Sequence, residues 1–190
     1  MKFLDYVEKR RSYYALDNQV NITKEELEEL IAKALRVTPS PFNMQATKLV
    51  LILDDEHRKF WNKVNGTFDN SINAQKFKGF HDAKGTILYF IDKRIVKGLQ
   101  DQFPAYADNF AQWAGHENAM MQFNLWVALR NEELGASLQH YNPVIDEWVK
   151  EDYDLDENLE LVAQMPFGRI LSEPKAKDKL PTEERLKIFG

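Results

Sequence analysis

Gly135-Ala-Ser-Leu-Gln-His-Tyr-Asn-Pro143 is the stretch on which the reading of the chain turns. Gly135 to His140 suits a short strand, and Asn142-Pro143 opens a helix, with Asn at the N-cap and Pro at the first helical position. Polar and aromatic side chains are thereby delivered to a helix start, where free N–H groups favour an electron-rich or anionic atom. Immediately upstream, Gly115 to Leu134 is the longest predicted helix. Met120, Met121, Phe123, Leu125, Trp126, Val127, Ala128 and Leu129 leave it almost no polar face. A helix apolar all round is buried all round, in a core or against a second subunit.

Working outward, Lys48 to Leu53 (KLVLIL) and Gly85 to Ile91 (GTILYFI) are short continuous apolar runs, the pattern of strands buried on both faces. Leu159 to Gln164 is a further strand candidate. Thr23 and Glu26 form a T-x-x-E capping box ahead of Leu27, Leu30, Ile31, Ala34 and Leu35, a helix that Pro39 and Pro41 end near Thr38. Short helices are expected over Lys2 to Arg10, after a cap at Asp54, and over Gln102 to Trp113. Asn65 to Lys84 reads as a mobile polar loop with some helix. Gly168 to Pro181 is a charged connector, and Arg185 to Phe189 a last short strand or tail. Helices interleaved with a few short strands indicate an α+β domain on a small sheet, with no linker dividing it.

Composition narrows the function. The 190 residues carry 25 Lys+Arg against 30 Asp+Glu, a net charge of −5, and are 44% hydrophobic, which suits one domain with a real core. The acidic balance argues against nucleic acid or anionic membrane as partner. No apolar run approaches the roughly 20 residues of a membrane span, and MKFLDYVEKRRS has charges where a signal peptide would be apolar. A cytoplasmic protein is expected. Without cysteine there is no thiolate nucleophile, Cys-ligated zinc or iron–sulfur cluster. The glycines form neither a Rossmann fingerprint nor a P-loop, and no G-x-S-x-G elbow occurs. His57, His81, His116 and His140 are scattered and read as packing or surface residues rather than ligands. If the chain is an enzyme, a bound cofactor brings the reactivity.

Four stretches carry candidate chemistry, each with a plainer alternative. Arg10-Arg11-Ser12 offers forked guanidinium donors and a hydroxyl to a phosphate, or two cations to a helix C-terminus. Pro39-Ser40-Pro41-Phe42-Asn43-Met44-Gln45 is a rigid turn whose carboxamides can read a flat heterocycle, or simply satisfy the turn. Gln139-His140-Tyr141-Asn142 sits at the expected helix start. Lys175, Lys177 and Lys179 are a basic run that is otherwise a solvated charge cluster.

In this order and spacing the four stretches resemble the FMN-dependent nitroreductase family, and within it the short fatty-acid-repression-mutant (FRM2-like) branch. The resemblance spans nearly the whole chain. It rests on R-R-S at 10–12, P-S-x-F-N-x-Q at 39–45, F-P-x-Y-A-D-N-F at 103–110, G-A-S-L-Q-H-Y-N-P at 135–143 and Q-M-P-F-G at 164–168.

The resemblance implies a central, mostly antiparallel sheet flanked by helices. It also implies an intertwined homodimer in which about Leu180 to Phe189 crosses to the partner's sheet, with two FMN molecules at the interface. By position, Arg10 and Ser12, with Arg11 adjacent, match phosphate and ribityl contacts, and Lys177, or else Lys179, completes the phosphate site. Pro39, Ser40, Asn43 and Gln45 match the stretch that reaches the flavin from the other subunit. Gln139, His140, Tyr141 and Asn142 match the segment along the isoalloxazine. The implied reaction is ping-pong: NADH or NADPH gives hydride to flavin N5, and a small aromatic acceptor, a nitroaromatic or quinone, is then reduced. Arg10 and the helix start at Asn142-Pro143 are the expected sources of positive potential. A flavin-binding sensor in stress or lipid metabolism is the alternative from another class. Two positions depart from the larger nitroreductases: Gln45 is followed by Ala-Thr rather than Pro-Trp, and Tyr14 stands where a basic residue is common.

Overall fold

A computed structural model describes residues 3–190. In chain order the strands are β1 (Leu16–Asp17), β2 (Thr47–Leu53), β3 (Gly85–Asp92), β4 (Leu134–Ala136) and β5 (Leu159–Ile170). The helices are α1 (Phe3–Lys9), α2 (Lys24–Val37), α3 (Asp54–Thr67), α4 (Ala74–His81), α5 (Lys93–Gln102), α6 (Ala107–Asn131) and α7 (Asp146–Asp152). The expected start of the first helix at Lys2 lies outside the described residues. The sheet runs β1-β5-β3-β2 with β4 also paired to β5, and every strand pair is antiparallel.

β3 is buried on both faces, as its unbroken apolar run requires. Ile87 and Tyr89 face a core completed by Leu27 and Ile31 of α2 and by Met121, Leu125 and Leu129 of α6. Leu88 and Phe90 face the opposite side, against Phe60, Trp61 and Val64 of α3, Phe80 of α4 and Val149 of α7. Period-two alternation in one strand therefore feeds two helical layers. The capping box of α2 is present: Glu26 N–H donates to Thr23 Oγ1 at 3.1 Å and Thr23 N–H to Glu26 Oε2 at 2.8 Å.

Several elements differ from the sequence expectation. The two helices expected over Gln102–Trp113 and Gly115–Leu134 join in one continuous α6, since a lone Gly115 in a helix interior costs only about 1 kcal/mol; α6 starts at Ala107, after a 3₁₀ turn at Pro104–Tyr106, and ends at Asn131. Its buried face includes Glu117, Asn118 and Gln122, whereas Met120 and Phe123 are each 37% exposed, so the helix is not buried all round in one chain. α5 is an element the sequence expectation does not include, although Asp92 caps it by accepting from the Arg94 N–H. Residues 65–84 are more ordered than a loop: Asn73 caps α4 through the N–H groups of Gln75 and Lys76. Asp54 is not a cap but the first residue of α3, with φ 53°.

The segment 137–145 holds the largest correction. Asn142-Pro143 does not open a helix. That peptide is cis, residues 142–145 form a turn, and α7 starts three residues later, after Ile145, with no side-chain cap. The strand expected over 135–140 stops at Ala136, after which only Gln139 bridges to Gln164. β5 in turn runs past Gln164 to Ile170, and Arg185–Phe189 is tail rather than strand.

His57 is a packing residue of an informative kind. It is fully buried; its Nε2–H donates to the Phe80 carbonyl at 2.7 Å and Nδ1 accepts from Thr86 Oγ1 at 3.0 Å. Burial pulls its pKa down to about 4. Among the described residues no His/Cys/Asp/Glu group could hold a metal, and no helix is long and apolar enough to cross a membrane.

Candidate functional site

Ser12 forms a parallel bridge to Ala136, and the Tyr13 N–H donates to the Ala136 carbonyl at 3.0 Å. Gly135 permits this approach, since a Cβ there would stand 2.9 Å from the Tyr13 Cβ and 2.6 Å from Ile170. The G-A-S motif and R-R-S thus meet along one edge. Arg10 lies at the end of α1 with its guanidinium 4.4 Å from the Trp126 ring centroid. That distance makes a cation–π contact between the guanidinium and the indole. Burial holds the Arg10 guanidinium below its ordinary pKa, and Arg11 beside it adds repulsion. Arg10 and Arg11 are absent from the ion pairs formed among the described residues. Two adjacent cations lacking a carboxylate partner make a spot that an anion would stabilise.

The lysine-rich tail reaches the same spot. Arg11 Nη2 donates to the Lys175 carbonyl at 2.7 Å and Tyr13 Oη to Glu173 at 3.3 Å, which docks the start of the tail beside R-R-S. Lys177 and Lys179 follow, both exposed. Ahead of the tail, the edge continues as Gln139–Asn142. Gln139 and Gln164 exchange backbone hydrogen bonds of 2.8 and 3.0 Å, and the fully buried Gln164 side chain accepts the Tyr141 N–H at 2.9 Å. His140 is exposed and Tyr141 half-buried, its hydroxyl raised in pKa by burial. With no helix starting at Pro143, the positive potential expected there reduces to Arg10 and its neighbours. Tyr14 is turned to Phe80, and Lys76 lies 5.3 Å from its ring.

Pro39, Ser40, Asn43 and Gln45 are not brought to this edge. Asn43 ends a one-turn 3₁₀ segment (Pro41–Asn43) packed on the N-terminal half of α6, with Ser40 before it and Gln45 after it, while Pro39 lies beside Asn124 and Val127 of α6. Ser40 Oγ accepts the Gln45 N–H at 3.2 Å and Gln45 Nε2 donates to the Asn43 carbonyl at 3.3 Å. Phe42, Asn43 and Gln45 all have left-handed φ, near 50°. Phe42 stacks on Trp113 at 5.8 Å, whereas Arg10 stacks on Trp126. Thirteen helical residues at about 1.5 Å each put these anchors roughly 20 Å apart along α6.

Sequence reading missed Glu117, Gln164 and Trp126 as supports of the site. Gln164 stands inside the Q-M-P-F-G motif, where the local pattern signals only a strand. Glu117, Asn118 and Gln122 were legible as a short polar run in an otherwise apolar helix.

The nitroreductase family pattern matches residues 7–169. The yeast nitroreductase FRM2 (Saccharomyces cerevisiae) is 28% identical over 178 residues, covering 92% of this chain and 91% of its own. Nitroreductase CinD from Lactococcus lactis, solved with nicotinic acid, superposes with TM-score 0.95 at 36% identity, covering 100% of both chains. CinD has also been solved with chloramphenicol and with 4-nitrophenol. A nitroreductase-type protein of Exiguobacterium sibiricum in complex with FMN shares the fold, with TM-score 0.76 at 15% identity over 100% of this chain and 98% of that one. The chain belongs to the nitroreductase family, and is an oxidoreductase by class. The resemblance to the FRM2-like branch and the mostly antiparallel α+β fold are borne out.

Proposed function

We propose that this chain, as a single domain and in the cytoplasm, is an FMN-dependent oxidoreductase. It carries reducing equivalents from NADH or NADPH to a small aromatic acceptor, a nitroaromatic or a quinone. Bound FMN supplies the hydride chemistry; the residues bind, orient and polarise. Arg10, Ser12 and Arg11 hold the phosphate end, with Lys177, or Lys179 in its place, closing the basic spot. Gln139, His140, Tyr141 and Asn142 lie along the ring. Pro39, Ser40, Asn43 and Gln45 reach the ring from a partner copy.

The observation that carries this reading is the Arg10–Arg11 pair without a carboxylate, next to the 136–142 edge. Those donors fit a phosphate ester, and a preorganised cation near a developing negative charge lowers the barrier to forming it. Two features support a homodimer. The Phe42 and Arg10 anchors lie roughly 20 Å apart along α6, which favours contacts from two copies over both from one chain. An open groove of about 920 Å³ between α1, α2 and α6, lined by Phe3, Tyr6, Val37, Phe123 and Val127, leaves apolar surface for a second copy. The tail residues Leu186, Ile188 and Phe189 are exposed in the same way and would be exchanged. CinD's ligands, two of them nitroaromatic, support the acceptor class.

The visible spectrum tests the reading. Purified protein is expected to be yellow with about one FMN per chain, to bleach under anaerobic NADH or NADPH, and to recover colour when a nitroaromatic is added. Colourless protein that takes up no added FMN would overturn it. FMN that binds but that neither nucleotide reduces would favour the sensor instead.

A further inference from the structure

The Ser40–Gln45 turn adopts a backbone that its residues do not prefer. Phe42, at φ 53°, is the least expected of the three left-handed positions, since bulky side chains rarely enter that region. Such a conformation persists only where its surroundings over-determine it. Two contacts with α6 and its lead-in do so.

The first grips the middle of the turn. The Phe42 ring sits 5.0 Å from Phe103, 5.2 Å from Phe110 and 5.8 Å from both Tyr106 and Trp113, although Phe42 itself is 47% exposed. The second grips its exit. Glu117, 3% exposed, accepts the Ala46 N–H on Oε2 at 3.1 Å and the Thr47 N–H on Oε1 at 2.9 Å. A buried carboxylate receiving two backbone donors is a strong, directional tie. It also depends on a departure already noted: Ala46 has an N–H to give, and a proline there would have none. Asn118 continues the network, donating to the Phe90 carbonyl at 3.1 Å and accepting from Gln122 at 2.7 Å.

We infer that Glu117 and Phe42 are positioning residues that hold the Ser40–Gln45 turn in its left-handed form, so that Asn43 and Gln45 face the flavin of a partner copy. The inference rests on the proposed flavin contact of this turn. Neither residue needs to touch the cofactor. They set the angle at which α6 presents the two carboxamides, and through it the acceptor's access to the ring.

The test compares Glu117→Gln with Asn43→Ala and with Val64→Ala, a core truncation under the opposite face of the sheet. Glu117→Gln keeps the shape but turns an NH2 toward one of the two backbone donors. It is expected to weaken FMN binding by about tenfold, the scale of one lost charged hydrogen bond, and to shift the visible circular dichroism of bound flavin. Val64→Ala is expected to lower Tm without changing either flavin readout. If Asn43→Ala weakens FMN binding but Glu117→Gln does not, the positioning role fails and the flavin contact stands. If Asn43→Ala also leaves FMN untouched, the contact itself fails and takes the inference with it. Should Glu117→Gln not fold, Phe42→Leu carries the test, with the same flavin changes expected and unchanged flavin properties overturning it.

Discussion

The two segments proposed to face the cofactor are held by opposite means. Gln139–Asn142 is an extension of the sheet: its backbone pairs with β5, and a neutral carboxamide, Gln164, catches the Tyr141 N–H. Ser40–Gln45 has no strand beside it. A carboxylate on a helix and a cage of aromatic rings hold it in a left-handed conformation. The first inherits its position from the most deeply buried strands of the molecule. The second depends on the rotation and register of α6. The proposed site, with one sheet-borne and one helix-borne half, could vary the second while keeping the first, and Ala46-Thr47, which stand where the larger nitroreductases carry Pro-Trp, lie at the exit of the second.

Breaking the helix-borne half at its root gives the largest effect. Phe110→Ala removes a fully buried ring from under Phe42 and is expected to cost about 3–5 kcal/mol in urea unfolding, with FMN binding lost alongside. A smaller change would show that the aromatic cage is not what supports the turn.

Acid gives the next effect and separates both halves from general stability. The His57 pKa is depressed to about 4 in the folded state. The unfolded chain therefore binds the proton first. Stability is fully present above about pH 6.5 and falls as pH drops from there to about 4, by about 3 kcal/mol from this group. Urea titrations of wild type and His57→Asn across that range are expected to differ in slope. Equal slopes would remove His57 as the cause.

On the sheet-borne half, Arg10→Ala is expected to weaken FMN binding by about 1.5–3 kcal/mol, the loss of a charge-assisted bond, in a fluorescence titration. Gln164→Leu keeps the bulk but strands the Tyr141 N–H, at about 1–3 kcal/mol of stability read by thermal unfolding. The smallest effect belongs to neither half: Thr23→Ala removes the α2 capping box for about 1 kcal/mol and leaves FMN affinity unchanged.

How much of this was legible in the sequence follows the same division. β2, β3 and α2 announce themselves, because an apolar run or a capping box is a local signal that packing then reinforces. The motifs at 10–12 and 135–142 stand out in the sequence, and the fold brings Ser12 and Tyr13 against Ala136. What stayed hidden depends on contacts distant in the chain. Glu117 meets Ala46 across 71 residues, and nothing near Glu117 announces that partner. The turn at Asn142-Pro143 looked like a helix start because Asn and Pro favour both; the buried Gln164 tie, which local sequence cannot show, fits the turn. Residues 65–84 looked like a loop since polar surface positions outnumber Phe77 and Phe80, the two that dock α4.

The central claim is that each flavin site takes its halves from two copies of the chain. Arg10→Ala and Asn43→Ala subunits, each weak in FMN binding alone, can be mixed after unfolding and refolding together, and the mixed dimers isolated by different tags. If the halves come from two copies, one site in each mixed dimer is fully wild type and binds FMN with native affinity. If both halves lie in one chain, every site in the mixed dimer is defective and no high-affinity binding returns, which would contradict the account.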